Sequence, residues 1–181
     1  IAFLIACFIP AFYISITTHN PEFMPINLLL SFKIQRMNVP FPAFLEAIFM
    51  IIAFEILRES DIRIPSSMGT AVSILGGLVL GDAAVSANIV SPIMIIITSL
   101  TFISSMIFSN VELSGAIRIW RFIAMIIASF YGLYGVALAF IFFIVSLSSY
   151  SSFGLPYTFP VVPFSLPYLK ETLYESDIHD N

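Results

Sequence analysis

Two uncharged stretches constrain this chain more than anything else in it. Ser91 to Ser109 runs 19 residues without Asp, Glu, Lys or Arg, and Phe122 to Leu147 runs 26. As helix, about 20 apolar residues cross the hydrocarbon core of a bilayer, so either stretch is long enough to span. The remainder agrees. The chain is 59% hydrophobic and 10% charged over 181 residues, with 19 Phe and a mean hydropathy of +1.02. A soluble domain carries about 25% charged residues. The sequence therefore predicts an all-α, polytopic transmembrane protein with about four spanning helices plus a short re-entrant or broken helical element.

The net charge is −4, and part of it sits in the tail "KETLYESDIHDN". No basic patch exists, so nucleic acid is not an expected partner. Lone Cys7 excludes an intrachain disulfide. His19 and His179 stand too far apart for a zinc pattern, no metal or cofactor motif appears, and no nucleophile–base set suggests an enzyme. The chain opens at Ile1 inside an apolar run with no basic n-region. That predicts no signal peptide, and a fragment whose true N-terminus lies upstream.

Along the chain, Ile1 to Ile16 reads as the end of a spanning helix, kinked at Pro10. A polar loop with Pro21, Pro25, Pro40 and Pro42 comes next, and within it "INLLLSFKIQRM" reads as a short amphipathic helix at the interface. Segment two, Ala43 to Leu57, reaches only roughly 22 Å as helix, short of a bilayer core. Segment three, "MGTAVSILGGLVLGDAAVSANIV", places Gly69, Ser73, Gly77 and Gly81 every four residues. That spacing makes one ridge of small side chains, which lets helix backbones approach closely. The ridge is either generic packing or a re-entrant element beside a cavity, ended by Asp82. Segment four carries Ser91, Thr98, Thr101, Ser105 and Ser109 on one face. These hydroxyls either bond back to their own helix or line water. After the loop "NVELSGAIR", segment five runs from Trp120 to about Tyr150, with Gly132 and Gly135 as bending points. Arg118, Trp120 and Arg121 mark its interfacial entry. Residues 1–160 thus form a membrane region and residues 161–181 an extended Pro-rich tail. The Lys and Arg counts of the loops are balanced and do not orient the chain.

Segment two holds two carboxylates. Glu46 and Glu55 are nine residues apart, which puts them on opposite helix faces, so they are not a catalytic pair. Glu59 is an i,i+4 neighbour of Glu55, and Arg58, three residues beyond Glu55, lets that end partly neutralise itself. The pair either sits near opposite interfaces or sees water inside an assembly, because an ionised group at bilayer centre costs about 3 kcal/mol or more.

Five strings in order, "HNPEFMPINLLLS", "VPFPAFLEAIFMIIAFEILRESDIRIP", "AVSILGGLVLGDAAVSANIVSP", "ELSGAIRIWRF" and "SSFGLPYTFP", resemble the membrane region of GerA-type spore germinant receptor A subunits. The match covers residues 17 to 160. Sporulation stage V AF-type proteins share this region, and "GDAAVSANIVSP" is more similar to the receptor branch. Beyond Pro160 the basic residues of that family are few, so nothing carries over there.

The resemblance implies several things that spacing does not. It implies the inner membrane of a bacterial endospore, surrounded by membrane lipid. It implies a transporter-like B subunit and a lipoprotein C subunit as partners, and a homo-oligomer of A subunits acting as a nutrient-gated cation channel. Within that frame, Glu55 and Asp82 are candidates for a cation pathway with Thr98, Thr101 and Ser105 as its wall, since carboxylates lower the barrier to cations. Gly69, Ser73, Gly77 and Gly81 are candidates for helix packing. A secondary transporter is the alternative function.

Overall fold

The structure, a computed structural model, describes residues 2–63, 66–108, 111–149, 151–152 and 155–156, with side chains at 2–59, 75–108 and 113–149. It is built of helices: α1 (Ala2–Thr18), α2 (Ile26–Arg36), α3 (Ala43–Arg63), α4 (Ser66–Ser86), α5 (Pro92–Met106) and α6 (Val111–Ser149). A 3-10 turn, Pro21–Phe23, sits between α1 and α2. The chain divides into two compact units, Ile1–Ala139 and Phe140–Asn181. In the second, residues 140–149 complete α6, and Ser151–Ser152 (β1) pairs antiparallel with Leu155–Pro156 (β2). The extended tail expected over residues 161–181 lies outside the described residues.

The first unit packs α1 against α5 and α3, and α3 against α4 and α5. α3, α5 and α6 each bury a stripe with steps of three or four. On α3 it is Ala43, Ala47, Met50 and Phe54; on α5 it is Met94, Thr98, Thr101 and Ser105; on α6 it is Ile117, Arg121, Ala124 and Ala128. Such a stripe is one helix face. Alanine recurs in these stripes because a small side chain lets two helix axes come close, and dispersion then holds them. The other faces stay apolar and exposed, as with Leu45, Phe49, Ile52 and Ile56 on α3, or Ile96, Leu100 and Ile103 on α5.

By length and composition, one helix among the described residues is able to cross a membrane, Leu113–Ser149; Ala2–Thr18, Leu75–Ser86 and Pro92–Met106 are shorter apolar helices. Several boundaries differ from the sequence reading. α3 continues to Arg63, 21 residues or about 32 Å, because "RESDIR" contains no helix breaker before Pro65. α4 is continuous through Asp82 to Ser86, since no proline falls between Pro65 and Pro92 and its paired glycines are packed. Gly76 faces Leu57 and Gly77 faces Phe54, so α4 runs back along α3. α6 begins at Val111, absorbing the expected loop; Gly115 is the one poor helix former there. α2 forms as expected, and its Leu29, Phe32 and Arg36 turn inward while Ile26, Leu30 and Ile34, with Met37 just past its end, stay exposed.

α4 ends in a turn that positions the start of α5. Asn88 takes φ 54°, a left-handed conformation that Asn tolerates better than most residues. Ile89 N–H and Val90 N–H both donate to Ala84 O, at 2.9 and 3.3 Å. Ser91 then caps α5, its Oγ accepting from Met94 N–H at 3.4 Å, with Pro92 at the first helical position, where its missing N–H costs nothing.

Candidate functional site

The charged groups inside this apolar bundle fall into two clusters and one groove. The first cluster centres on Glu46, which is 1% exposed. Arg36 reaches it from the end of α2, with Nη2 3.0 Å and Nε 3.2 Å from Oε1. Its Oε2 accepts from Ser91 N–H at 3.0 Å and from Ser91 Oγ–H at 2.9 Å. One carboxylate therefore ties the end of α2 to the start of α5. Four donors on two oxygens, two of them from a guanidinium, offset the cost of burying the charge.

The second cluster centres on Glu55. Arg118 Nη2 lies 3.0 Å from its Oε2, and Arg121 Nη1 lies 3.2 Å from its Oε1. Arg121, itself 3% exposed, also donates from Nε to Ala6 O at 2.8 Å. Ala6 O lies in the interior of α1 four residues before Pro10, which has no N–H to give it, so the Arg121 guanidinium satisfies a carbonyl that the proline leaves open. Arg121 thus joins α1, α3 and α6. Nearby, Arg58 donates to Ser105 Oγ at 3.1 Å and to Ser105 O at 3.4 Å, closing the exposed carbonyl end of α5. Cations at a helix C-terminus are favourable for this reason. Spacing makes Arg58 a neighbour of Glu55; here it turns to α5 instead, and α6 supplies the partners.

The groove runs between α4 and α5 and has a volume of about 670 Å³. Gly77, Gly81, Leu78 and Val85 form one wall and Ile95, Ile96 and Phe102 the other, with Asp82 and Ser99 as its polar groups. Asp82 is exposed, and no ion pair to it is found among the described residues.

The predicted pathway residues therefore lie in three places. Glu55 is inside an arginine cluster and Asp82 is in the groove. Thr98, Thr101 and Ser105 lie along the buried face of α5, where Thr98 donates to Met94 O at 2.8 Å, Thr101 to Ile97 O at 2.7 Å and Ser105 to Phe102 O at 2.7 Å. Among the packing candidates, Gly77 and Gly81 face Phe54 and Ile95 at ordinary contact distance, whereas a Cβ on Gly76 would meet Leu57 at 2.9 Å. Gly69 and Ser73 lie outside the residues whose side-chain surroundings are described. Sequence reasoning does not find Gly76, nor Arg118 and Arg121 as partners of Glu55. The three-residue spacing of the two arginines on an apolar helix is the available signal, because it places two cations on one face.

No solved structure matches this chain. The family profile described as Bacillus/Clostridium GerA spore germination protein matches residues 1–180. Spore germination protein KA of Bacillus subtilis (strain 168) is 45% identical over 174 residues, covering 96% of this chain and 32% of that protein. The uncharacterized membrane protein YfkQ of the same strain is 42% identical over 167 residues, covering 92% and 33%. Spore germination protein GerLA of Bacillus cereus is 37% identical over 160 residues, covering 88% and 32%. The chain spans about a third of the length of these curated relatives. With a match over nearly its whole length, the chain belongs to the GerA family of spore germination proteins.

Proposed function

We propose that this chain is the membrane part of an A-type germinant receptor subunit, multi-pass in the spore inner membrane, acting beside a transporter-like B subunit and a lipoprotein C subunit. Its role is conduction and signalling, not catalysis: A subunits assemble around a nutrient-gated route for cations. The observation that carries this reading is Asp82, an exposed carboxylate in a largely apolar groove. A carboxylate facing lipid costs about 3 kcal/mol, so the groove fits a face that meets water or another subunit. A carboxylate beside a water-filled path lowers the barrier for cations.

Glu55 contributes differently. With Arg118 and Arg121 paired with it and Arg58 one turn along α3, the local charge is positive, which repels a cation. Its role in the proposed assembly is to hold α3, α6 and α1 together. The test is nutrient-triggered potassium release from spores carrying Asp82→Asn in the full-length protein. Release is expected to slow about fivefold at equal protein level, the equivalent of roughly 1 kcal/mol lost at the barrier. Unchanged release would remove Asp82 from the route. The break in α6 at Gly132 favours secondary transport, since broken helices surround many transporter sites; flux coupled to a counter-ion gradient would select that reading.

A further inference from the structure

The longest apolar helix of the chain is broken at Gly132, one of the two bending points expected from the sequence. α6 has no proline between Val111 and Ser149, and leucine and alanine at positions 133 and 137–139 are good helix formers. Yet Gly132 adopts φ 60° and ψ −138°, a conformation open in practice to glycine alone. The loop after α1 occupies the break. Leu133 N–H, the first amide past the break, donates to Asn20 Oδ1 at 3.0 Å. The side chain of Asn20 therefore caps the helical segment starting at Leu133 from another part of the chain, in the manner of an N-cap. The loop is seated directly on Gly132: a Cβ there would come 2.6 Å from Asn20 Oδ1 and 2.7 Å from His19 Cβ.

The backbone that carries Asn20 is fixed on both sides. His19 N–H and Asn20 N–H both donate to Ser15 O, at 3.0 and 3.1 Å, and Asn20 O accepts from Phe23 N–H at 3.3 Å. Asn20 is thereby anchored to the end of α1 and to the 3-10 turn that leads into α2. A second glycine, Gly135, fits the same bend. A Cβ on it would collide with the Ile127 carbonyl, an approach between residues eight apart that a straight helix never makes. In a straight helix a glycine there would only weaken the structure relative to alanine. The glycine is useful only when α6 is bent.

We propose that Asn20 is a latch that holds α6 bent at Gly132, so that displacement of the α1–α2 loop frees the segment after Gly132 to rejoin a straight helix. Glycine makes both states accessible, since it populates negative and positive φ about equally. In the bent state Asn20 stands in for the acceptor that a continuous helix would offer the Leu133 amide. In the straight state the helix supplies that acceptor itself, so neither state leaves the amide orphaned in an apolar setting. The latch makes the loop and α2 a handle on α6. It depends on the geometry of this unit and not on the receptor reading.

The test is a distance measured across the break in the full-length protein in lipid. Nitroxide labels on cysteines placed at Ile119 and Leu138, both exposed, report it by pulsed electron resonance, with buried Cys7 left in place. A straight helix would set these positions about 28 Å apart along its axis; the bent form gives one shorter, narrow distribution. Asn20→Ala is expected to add a population near the straight-helix distance, while Asn20→Asp, which keeps the acceptor oxygen, retains the short distribution. A second pair at Ile103 and Ile119, which does not cross the break, is expected to stay unchanged. An unaltered Ile119–Leu138 distance in Asn20→Ala would overturn the latch. So would an equal change in Asn20→Asp, or a shift of the Ile103–Ile119 pair, which would mean general loosening. Because the readout is a distance, a germination defect of any other origin leaves it untouched.

Discussion

Glu46 and Glu55 show how two identical side chains on one helix acquire different consequences. Glu46 is sealed among Arg36 and Ser91. Glu46→Gln keeps the shape and leaves Arg36 without its counter-charge, and breaking a buried pair this way costs roughly 3–5 kcal/mol. The expected result is a fall in thermal stability of the detergent-solubilised protein, with Arg36→Gln in the same background recovering part of it. A fall that is the same whether or not Arg36 is present would show that the two do not act as a pair. Glu55 is less enclosed and shares its charge between Arg118 and Arg121. Glu55→Gln leaves the buried Arg121 without its counter-charge and is expected to lower stability by a comparable amount, roughly 3–5 kcal/mol, read by the same melting assay. Potassium release scaled to surviving protein should be unchanged if the cluster is structural. The opposite faces of these two carboxylates are legible from a nine-residue spacing. Their partners are not: Arg118 and Arg121 lie more than sixty positions from Glu55, and spacing within a helix carries no information about which neighbouring helix will meet it.

At the scale of elements, the α3–α4 hairpin depends on the glycine pair. A Cβ at Gly76 would press on Leu57 at 2.9 Å, while at Gly115 nothing lies within 4 Å. Gly76→Leu is therefore expected to separate the two helices and cost roughly 1–3 kcal/mol by overpacking, seen as reduced protein in the membrane fraction. Gly115→Ala, in open space, should instead stabilise by up to about 1 kcal/mol. Equal levels for both variants would mean that the hairpin does not depend on close approach. The ridge at Gly77 and Gly81 is readable from its four-residue repeat, but Gly76 is not, because it breaks that repeat while facing α3 as Gly77 does. The ends of α3 and α4 escape a sequence reading for a related reason. Polarity changes along "RESDIR" where helicity does not, and a hydropathy boundary is a boundary of environment, not of backbone hydrogen bonding.

For the molecule as a whole, the uncharged runs set the class of structure, and helices form where they lie. Those runs say nothing about how the loop from Thr18 to Pro42 is held. It is fastened at two points, by Asn20 to Leu133 N–H and by Arg36 to Glu46, so α2 is a fixed part of the bundle with one apolar side outward. The family resemblance implies that the loop around His19 to Arg36 lies outside the cytoplasm. A cysteine replacing Asn27 is then expected to react with an impermeant thiol reagent in intact protoplasts. Reaction only after lysis would turn the orientation over.

The narrow buried stripes also bear on how such a chain tolerates change over generations. Many positions on α3, α5 and α6 face outward with apolar side chains, Leu45, Ile96 and Phe130 among them, and there one oily residue substitutes for another with little effect on how the helices meet. A short ladder on each helix, Ala47 and Met50 or Ala124 and Ala128 among its rungs, admits almost no change in volume. Drift in this sequence should accordingly be abundant yet confined. Leu, Ile, Phe and Val exchange freely along the outer faces, while the alanine rungs stand still between them.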